Sequence, residues 1–280
     1  MPPEAPPRAV VEADVRRALA EDLGAGDLTA DLLPPGAVID SRVVCRQNAV
    51  FCGAPWFRET FAQLDPSIDI DWSVADGDAL VPDQPVCRVR GPAAPLLGGE
   101  RTALNFIQTL SGTATATHRY AAALAGTGTR LLDTRKTLPG LRQAQKYAVR
   151  CGGGTNHRMG LFDAVMLKEN HLAAAGSIGA AVSDARRRHP DTPVIVEVES
   201  LAELGEALAA GARRVLLDNF CLADLRRAVA LTAGRAALEA SGDITLDTIA
   251  ETAATGVDYV STGAITKHLR AVDFSLRFID

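Results

Sequence analysis

Val10, Val11, Val15, Ala18, Leu19 and Leu23 recur at the spacing of one helical face. This pattern predicts an amphipathic helix over 8–23, stopped by Gly24. Short β-rich pieces follow at 38–46, 49–52, 68–74 and 86–90, with a helix over 54–64 among them. Asp76-Gly77-Asp78 and Gly91-Pro92 punctuate them as turns. Leu96, Leu104, Phe106, Ile107 and Leu110 then start a second long helix. Residues 1–112 therefore read as an α/β sandwich domain with an antiparallel sheet.

From 113 the pattern changes. Apolar runs at 130–133, 164–168, 194–199, 214–218, 237–241 and 259–262 alternate with helical stretches such as 201–210, 222–231 and 246–255. Near-continuous apolar strands alternating with helices predict a parallel sheet covered by helices. Six βα units in 113–269 fall short of the roughly 250 residues of a full eightfold barrel, so an open α/β barrel of about six parallel strands is expected. Residues 272–278 alternate again, and the segment 270–280 is expected to rejoin the first domain.

The chain has 280 residues, 22% of them charged, and a net charge of −5. That balance excludes a general nucleic-acid surface. Between Arg130 and Lys168, however, eight Lys or Arg face only Asp133 and Asp163. The local excess fits either a pocket for a small anion or a solvated helix face. The five cysteines, Cys45, Cys52, Cys87, Cys151 and Cys221, form no ligand pattern and suit reduced thiols in a cytoplasm. No apolar run is long enough to span a bilayer.

The barrel runs end in Asp133, Lys168, Glu197 with Glu199, Asp218, Ser241, and Thr262-Gly263. In α/β barrels these strand ends build the site. Arg135 and Lys136 could pair with carboxylate or phosphate. Gly152-Gly153-Gly154 allows close backbone approach ahead of His157 and Arg158. Lys168 at the end of an apolar run calls for an anion. Glu197 and Glu199 share one strand face by alternation. With Asp218 they could hold Mg²⁺ or place negative charge beside a cationic transition state. Ser241-Gly242 and Thr262-Gly263 suit a phosphate.

Seven strings in order resemble the quinolinate phosphoribosyltransferase family: Glu100-Arg101-Thr102-Ala103-Leu104-Asn105, Asp133-Thr134-Arg135-Lys136-Thr137, Gly154-Thr155-Asn156-His157-Arg158, Met166-Leu167-Lys168-Glu169-Asn170-His171, Glu197-Val198-Glu199, Leu217-Asp218-Asn219-Phe220 and Glu239-Ala240-Ser241-Gly242. The resemblance covers nearly the whole chain. It implies transfer of the phosphoribosyl group of phosphoribosyl pyrophosphate to quinolinate with decarboxylation, giving nicotinic acid mononucleotide for NAD biosynthesis. It implies quinolinate contacts from Arg101, Arg135, Lys136, Thr137, His157, Arg158 and Lys168. The phosphoribosyl donor would meet Lys136, Lys168, Glu197, Glu199, Asp218, Ser241, Gly242 and Gly263. Lys136, Lys168, Glu197 and Asp218 would be catalytic, and Glu197 and Asp218 would hold Mg²⁺, directly or through water. It further implies a homodimer in which Arg101 reaches the neighbouring subunit's substrate. Asp243 departs from the family, which often has a second glycine there. Two other readings stand beside this one: a related phosphoribosyltransferase using another pyridine acid, and a non-catalytic barrel that binds a phosphorylated metabolite.

Overall fold

A computed structural model describes residues 3–279, the side chains of Asp31, Leu172 and Ala173 excepted. It divides into two compact units. One comprises the chain up to His118, Thr137–Gly153 and the chain from His268 onward; the other comprises Arg119–Lys136 and Gly154–Lys267.

The first unit holds α1 (Arg8–Leu23), β1 (Val38–Cys45), β2 (Ala49–Val50), α2 (Ala54–Leu64), β3 (Asp69–Trp72), β4 (Ala79–Leu80), β5 (Pro85–Pro92) and most of α3 (Ala93–Ala123). Helix α1 ends where expected. Gly24 adopts φ +51° and its N–H returns to the carbonyl of Ala20, a termination that glycine accommodates without strain. The main sheet is antiparallel in the order β12-β1-β5-β3, where β12 is Phe274–Phe278. The chain's last strand thus rejoins the first sheet, as the alternation at 272–278 predicts.

One face of this sheet packs Val43, Val86 and Val89 against Phe57, Phe61, Leu104 and Ile107 from α2 and α3. Each such side chain, fully buried, contributes about 1.5–3 kcal/mol. The opposite faces of α2 and α3 bury Trp56, Phe106 and Leu110 against Val11 and Val15 of α1 and Tyr147 of α4 (Arg142–Cys151). The result is a sheet–helix–helix sandwich.

The boundary differs from the expected 112/113. That point lies inside α3, and the units separate six residues further on, between His118 and Arg119. Gly112 lies within the helix where a Cβ would overlap the carbonyl of Arg270. Residues 137–153, expected in the barrel, also belong to the first unit. Their helix α4 buries Ala144, Tyr147, Ala148 and Cys151 in that unit's core.

The second unit contains β6 (Arg130–Leu132), β7 (Val165–Leu167), β8 (Val194–Val198), β9 (Arg214–Asp218), β10 (Ala237–Ser241) and β11 (Tyr259–Ser261). Helices α5 (Glu169–Ala175), α6 (Ile178–Arg188), α7 (Leu201–Ala209), α8 (Leu222–Thr232), α9 (Ile249–Ala253) and α10 (Ala264–Lys267) alternate with them. The six strands form one parallel sheet in the order β6-β11-β10-β9-β8-β7. β6 and β7 are its two edges, so the barrel is open. Ser200 caps α7 by accepting the N–H of Glu203 at 3.2 Å. Among the described residues no helix is long and apolar enough to cross a membrane.

Candidate active site

Strand alternation decides which side chains face inward. Met166 and Lys168, Leu216 and Asp218, and Glu239 and Ser241 are spaced two apart at the C-terminal ends of β7, β9 and β10. They line one cavity of about 400 Å³ with Glu197, Ser261, Thr134, Arg135, Lys136, His157 and Arg158. Beneath it Ala164, Met166, Ile195 and Leu216 pack as an apolar floor. The sequence-predicted Arg135, Lys136, His157, Arg158, Lys168, Glu197, Asp218 and Ser241 therefore converge.

Lys168 and Glu197 stand one step beyond the paired Leu167 and Val196. Their side chains meet, with Lys168 Nζ 2.8 Å and 2.6 Å from the two carboxylate oxygens. Arg158 is anchored by N–H groups donated to the carbonyl of Ala164 at 3.3 Å and to Met166 Sδ at 3.5 Å. Burial, joined by the like charge of Arg135, lowers the Arg158 pKa, and nearby Asp163 and Glu197 oppose that shift. Two cations held this close favour an anion between them. Lys136 is placed by its N–H to Thr134 Oγ1 (3.0 Å) and by its carbonyl, which accepts from Thr266 Oγ1 (2.8 Å).

Gly154–His157 run beside β6: Thr155 N–H bonds the carbonyl of Leu131 at 2.9 Å, and Asp133 N–H bonds that of Thr155 at 3.2 Å. This alignment lets the buried Asp133 accept the His157 N–H at 2.8 Å and Asn156 Nδ2 at 2.6 Å.

Glu199, Thr137 and Arg101 are not among the residues that line this cavity. β8 ends at Val198, and Glu199 is exposed. Its N–H bonds Glu203 Oε2 at 2.7 Å, so the cap of α7 turns the chain before alternation can carry Glu199 inward. Thr137 falls in the first unit, where its hydroxyl accepts from Arg142 Nε at 3.2 Å. Arg101 lies exposed on α3 in that same unit.

Gly242 follows the cavity-lining Ser241, and Gly263 lies beside the cavity-lining Lys136. Gly242 adopts φ +109°, and a Cβ there would overlap Asn219 Oδ1. Asn219 in turn donates Nδ2 to Asp218 Oδ2 at 2.9 Å. A Cβ on Gly263 would come within 2.9 Å of Lys136 Cδ. The departing Asp243 is exposed.

Sequence reasoning gave no role to Glu239, Ser261 or Asn219. Glu239 carried the signal that revealed Glu197, an acid inside an otherwise apolar strand.

Fold and cavity define a class: an open α/β-barrel protein whose strand ends cluster cations and carboxylates around one cavity. Comparison with known proteins narrows it. The family model for the quinolinate phosphoribosyl transferase N-terminal domain matches residues 27–111, and that for the C-terminal domain matches residues 113–277. The chain is 41% identical to a probable carboxylating nicotinate-nucleotide pyrophosphorylase of Bacillus subtilis, over 91% of this chain and 89% of that protein. It is 42% identical to the carboxylating nicotinate-nucleotide pyrophosphorylase of Mycobacterium leprae, over 94% and 95%. The solved nicotinate-nucleotide pyrophosphorylase of Francisella tularensis superposes with a TM-score of 0.96 at 45% identity, covering 98% of each chain. The chain belongs to the quinolinate phosphoribosyltransferase family.

Proposed function

We propose that this protein transfers the phosphoribosyl group of phosphoribosyl pyrophosphate to quinolinate and decarboxylates the product, yielding nicotinic acid mononucleotide, CO₂ and pyrophosphate. The observation that carries this reading is the convergence of Arg135, Lys136, Arg158 and Lys168 with Glu197 and Asp218 on one cavity. A dicarboxylate and a pyrophosphate need several cations, and the arginines offer planar forks that match a carboxylate.

The pyridine nitrogen attacks the anomeric carbon of ribose. The bond to pyrophosphate breaks and its electron pair leaves with that group. The transition state carries positive charge on the ribose, beside which Glu197 and Asp218 place negative charge. The ring nitrogen, now cationic, accepts the electron pair as the bond to the 2-carboxylate breaks. A proton then takes the place of CO₂ on that carbon. Fixing both reactants in line supplies much of the rate.

Mg²⁺ suits the donors present. A hard cation binds through one or two carboxylates plus substrate phosphate oxygens and water, and Glu197 and Asp218 would hold it. Its charge would offset that building on the leaving pyrophosphate. Ser241, Gly242 and Gly263 would receive the 5′-phosphate. Arg101, exposed on α3, fits a homodimer in which it serves the neighbouring subunit's substrate. A cytoplasmic location accords with five free cysteines.

The test is turnover of the purified chain with quinolinate, phosphoribosyl pyrophosphate and Mg²⁺, with nicotinate in parallel. Product and CO₂ from quinolinate alone support the reading. Product from nicotinate alone moves the chain to a non-decarboxylating activity, and product from neither makes it a binding protein.

A further inference from the structure

Glu239 stands in the middle of β10 with no solvent exposure. A carboxylate so placed must be paired, and its partners come from three elements. Arg214 of β9 donates to Glu239 Oε2 at 2.9 Å. The Arg214 guanidinium is itself held over the ring of Tyr259, 4.8 Å from its centroid. His157 Nε2 lies 3.3 Å from the same oxygen. Ser261 of β11 lines the same cavity and favours the charged form of the carboxylate. Burial pushes the Glu239 carboxyl up, but His157, Ser261 and Arg214 outweigh it and hold it below its ordinary value.

The other ring nitrogen of His157 is fixed by a hydrogen bond. Nδ1 accepts the backbone N–H of Arg158 at 2.6 Å. A nitrogen that accepts carries no proton, so the ring proton sits on Nε2, which lies 3.3 Å from Glu239 Oε2 without being aligned for a hydrogen bond to it. Asp133 holds the same segment from its other side through the His157 N–H. Glu239 and Asp133 thus grip the residue that precedes Arg158. Arg135, Lys136, Lys168, Glu197 and Asp218 also line the cavity, but Glu197 is engaged by Lys168 and Asp218 by Asn219.

We propose that Glu239 is a positioning residue: through His157 it fixes the backbone at Arg158 and so aims the guanidinium on which a substrate carboxylate docks. His157 then acts as a strut set against Glu239 at Nε2, and the positive charge of the cradle comes from the arginines and lysines. The kinetic part of this proposal rests on the quinolinate reading; the tautomer part does not.

The experiment uses the full-length Glu239→Ala and Glu239→Gln proteins. Histidine tautomers are read by long-range ¹H–¹⁵N NMR, the His157 signal being assigned by its loss in His157→Asn. Wild type should show His157 as the Nε2–H form. Glu239→Ala should give a mixture of tautomers. It should also raise KM for quinolinate at least ~10-fold with a smaller change in kcat, the mark of lost binding geometry. Glu239→Gln keeps an acceptor at the same place and should restore KM to within ~3-fold of wild type. A folded Glu239→Ala protein with the wild-type His157 signature overturns the proposal, whatever its kinetics. If Glu239→Ala does not fold, a folded Glu239→Gln protein that loses the Nε2–H form while KM for quinolinate stays at the wild-type value overturns it equally. A wild type that shows the Nε2–H signature but turns over no quinolinate would sink the functional reading and leave the Glu239–His157 link intact.

Discussion

Lys168 Nζ sits 2.8 Å and 2.6 Å from the two carboxylate oxygens of Glu197, across neighbouring parallel strands. The Glu197 side chain is 10% exposed and that of Lys168 42%. The pair is therefore asymmetric: removing the lysine strands a nearly buried carboxylate, whereas removing the glutamate leaves an ammonium that water can reach. Lys168→Ala should destabilise the fold more than Glu197→Gln does. The double variant should be more stable than Lys168→Ala alone, a non-additivity expected of direct partners. Turnover should fall at least ~10-fold in all three, because each loses a charge aimed at the reacting groups. Urea melts and initial rates separate the two effects. Additive stability losses would refute the pairing.

Much of the barrel was legible because its strands are apolar runs closed by a polar residue. Arg214–Asp218 and Ala237–Ser241 match the predicted bounds end for end. Glu199 was misjudged because alternation holds only while the strand lasts, and Ser200 begins a helix cap at once. The grouping of 137–153 with the first unit was illegible for another reason. α4 carries an apolar stripe of Ala144, Tyr147, Ala148 and Cys151 with Gln145 and Lys146 buried beside it, but which core that stripe joins is a tertiary fact. Glu239 is visible as an acid within an apolar strand, yet only the tertiary fold sets His157 and Arg214 beside it.

Gly242 and Gly263 should respond differently to the same added methyl. At Gly242 the φ of +109° is strained for any L side chain, and the Cβ would overlap Asn219, which holds Asp218. Gly242→Ala should cost about 1–3 kcal/mol of stability and most of the activity. Gly263 lies outside the left-handed region, and its obstacle is the flexible Lys136 side chain at 2.9 Å. Gly263→Ala should leave thermal stability nearly unchanged while weakening binding of the phosphoribosyl donor as Lys136 is displaced. Equal melting temperatures for both variants would contradict this distinction.

If Glu197 and Asp218 share a Mg²⁺ with the leaving pyrophosphate, turnover should stop when divalent cations are chelated and return on adding Mg²⁺. Asp218→Asn removes one of two carboxylate charges, and Asn219 would then donate to a weaker acceptor. This variant should need a higher Mg²⁺ concentration for half-maximal rate, by ~10-fold or more, since hard cations are held chiefly by charged oxygens. An unchanged Mg²⁺ dependence in Asp218→Asn would remove that residue from the metal site.

Tyr147 donates its hydroxyl to Asp76 Oδ2 at 2.6 Å, and Asp76 Oδ1 accepts the N–H groups of Gly53 at 2.9 Å and Ala54 at 3.1 Å. Both residues are buried. Burial raises the Asp76 carboxyl above its ordinary value, although Tyr147 and the two N–H groups pull it back. An acid raised on folding contributes stability that is present below its unfolded value, about 3.9. That contribution is lost as pH climbs through the higher folded value. Tyr147→Phe deletes a group that favours the charged form, so the folded value should climb further and the loss on raising pH should grow. Leaving a buried carboxylate oxygen without its donor costs about 1–3 kcal/mol near neutrality, and less near pH ~3, where Asp76 is protonated in both states. Urea melts of wild type and Tyr147→Phe across this range test the sign. A penalty that is constant with pH, or larger in acid, would mean that Asp76 is not the group Tyr147 serves.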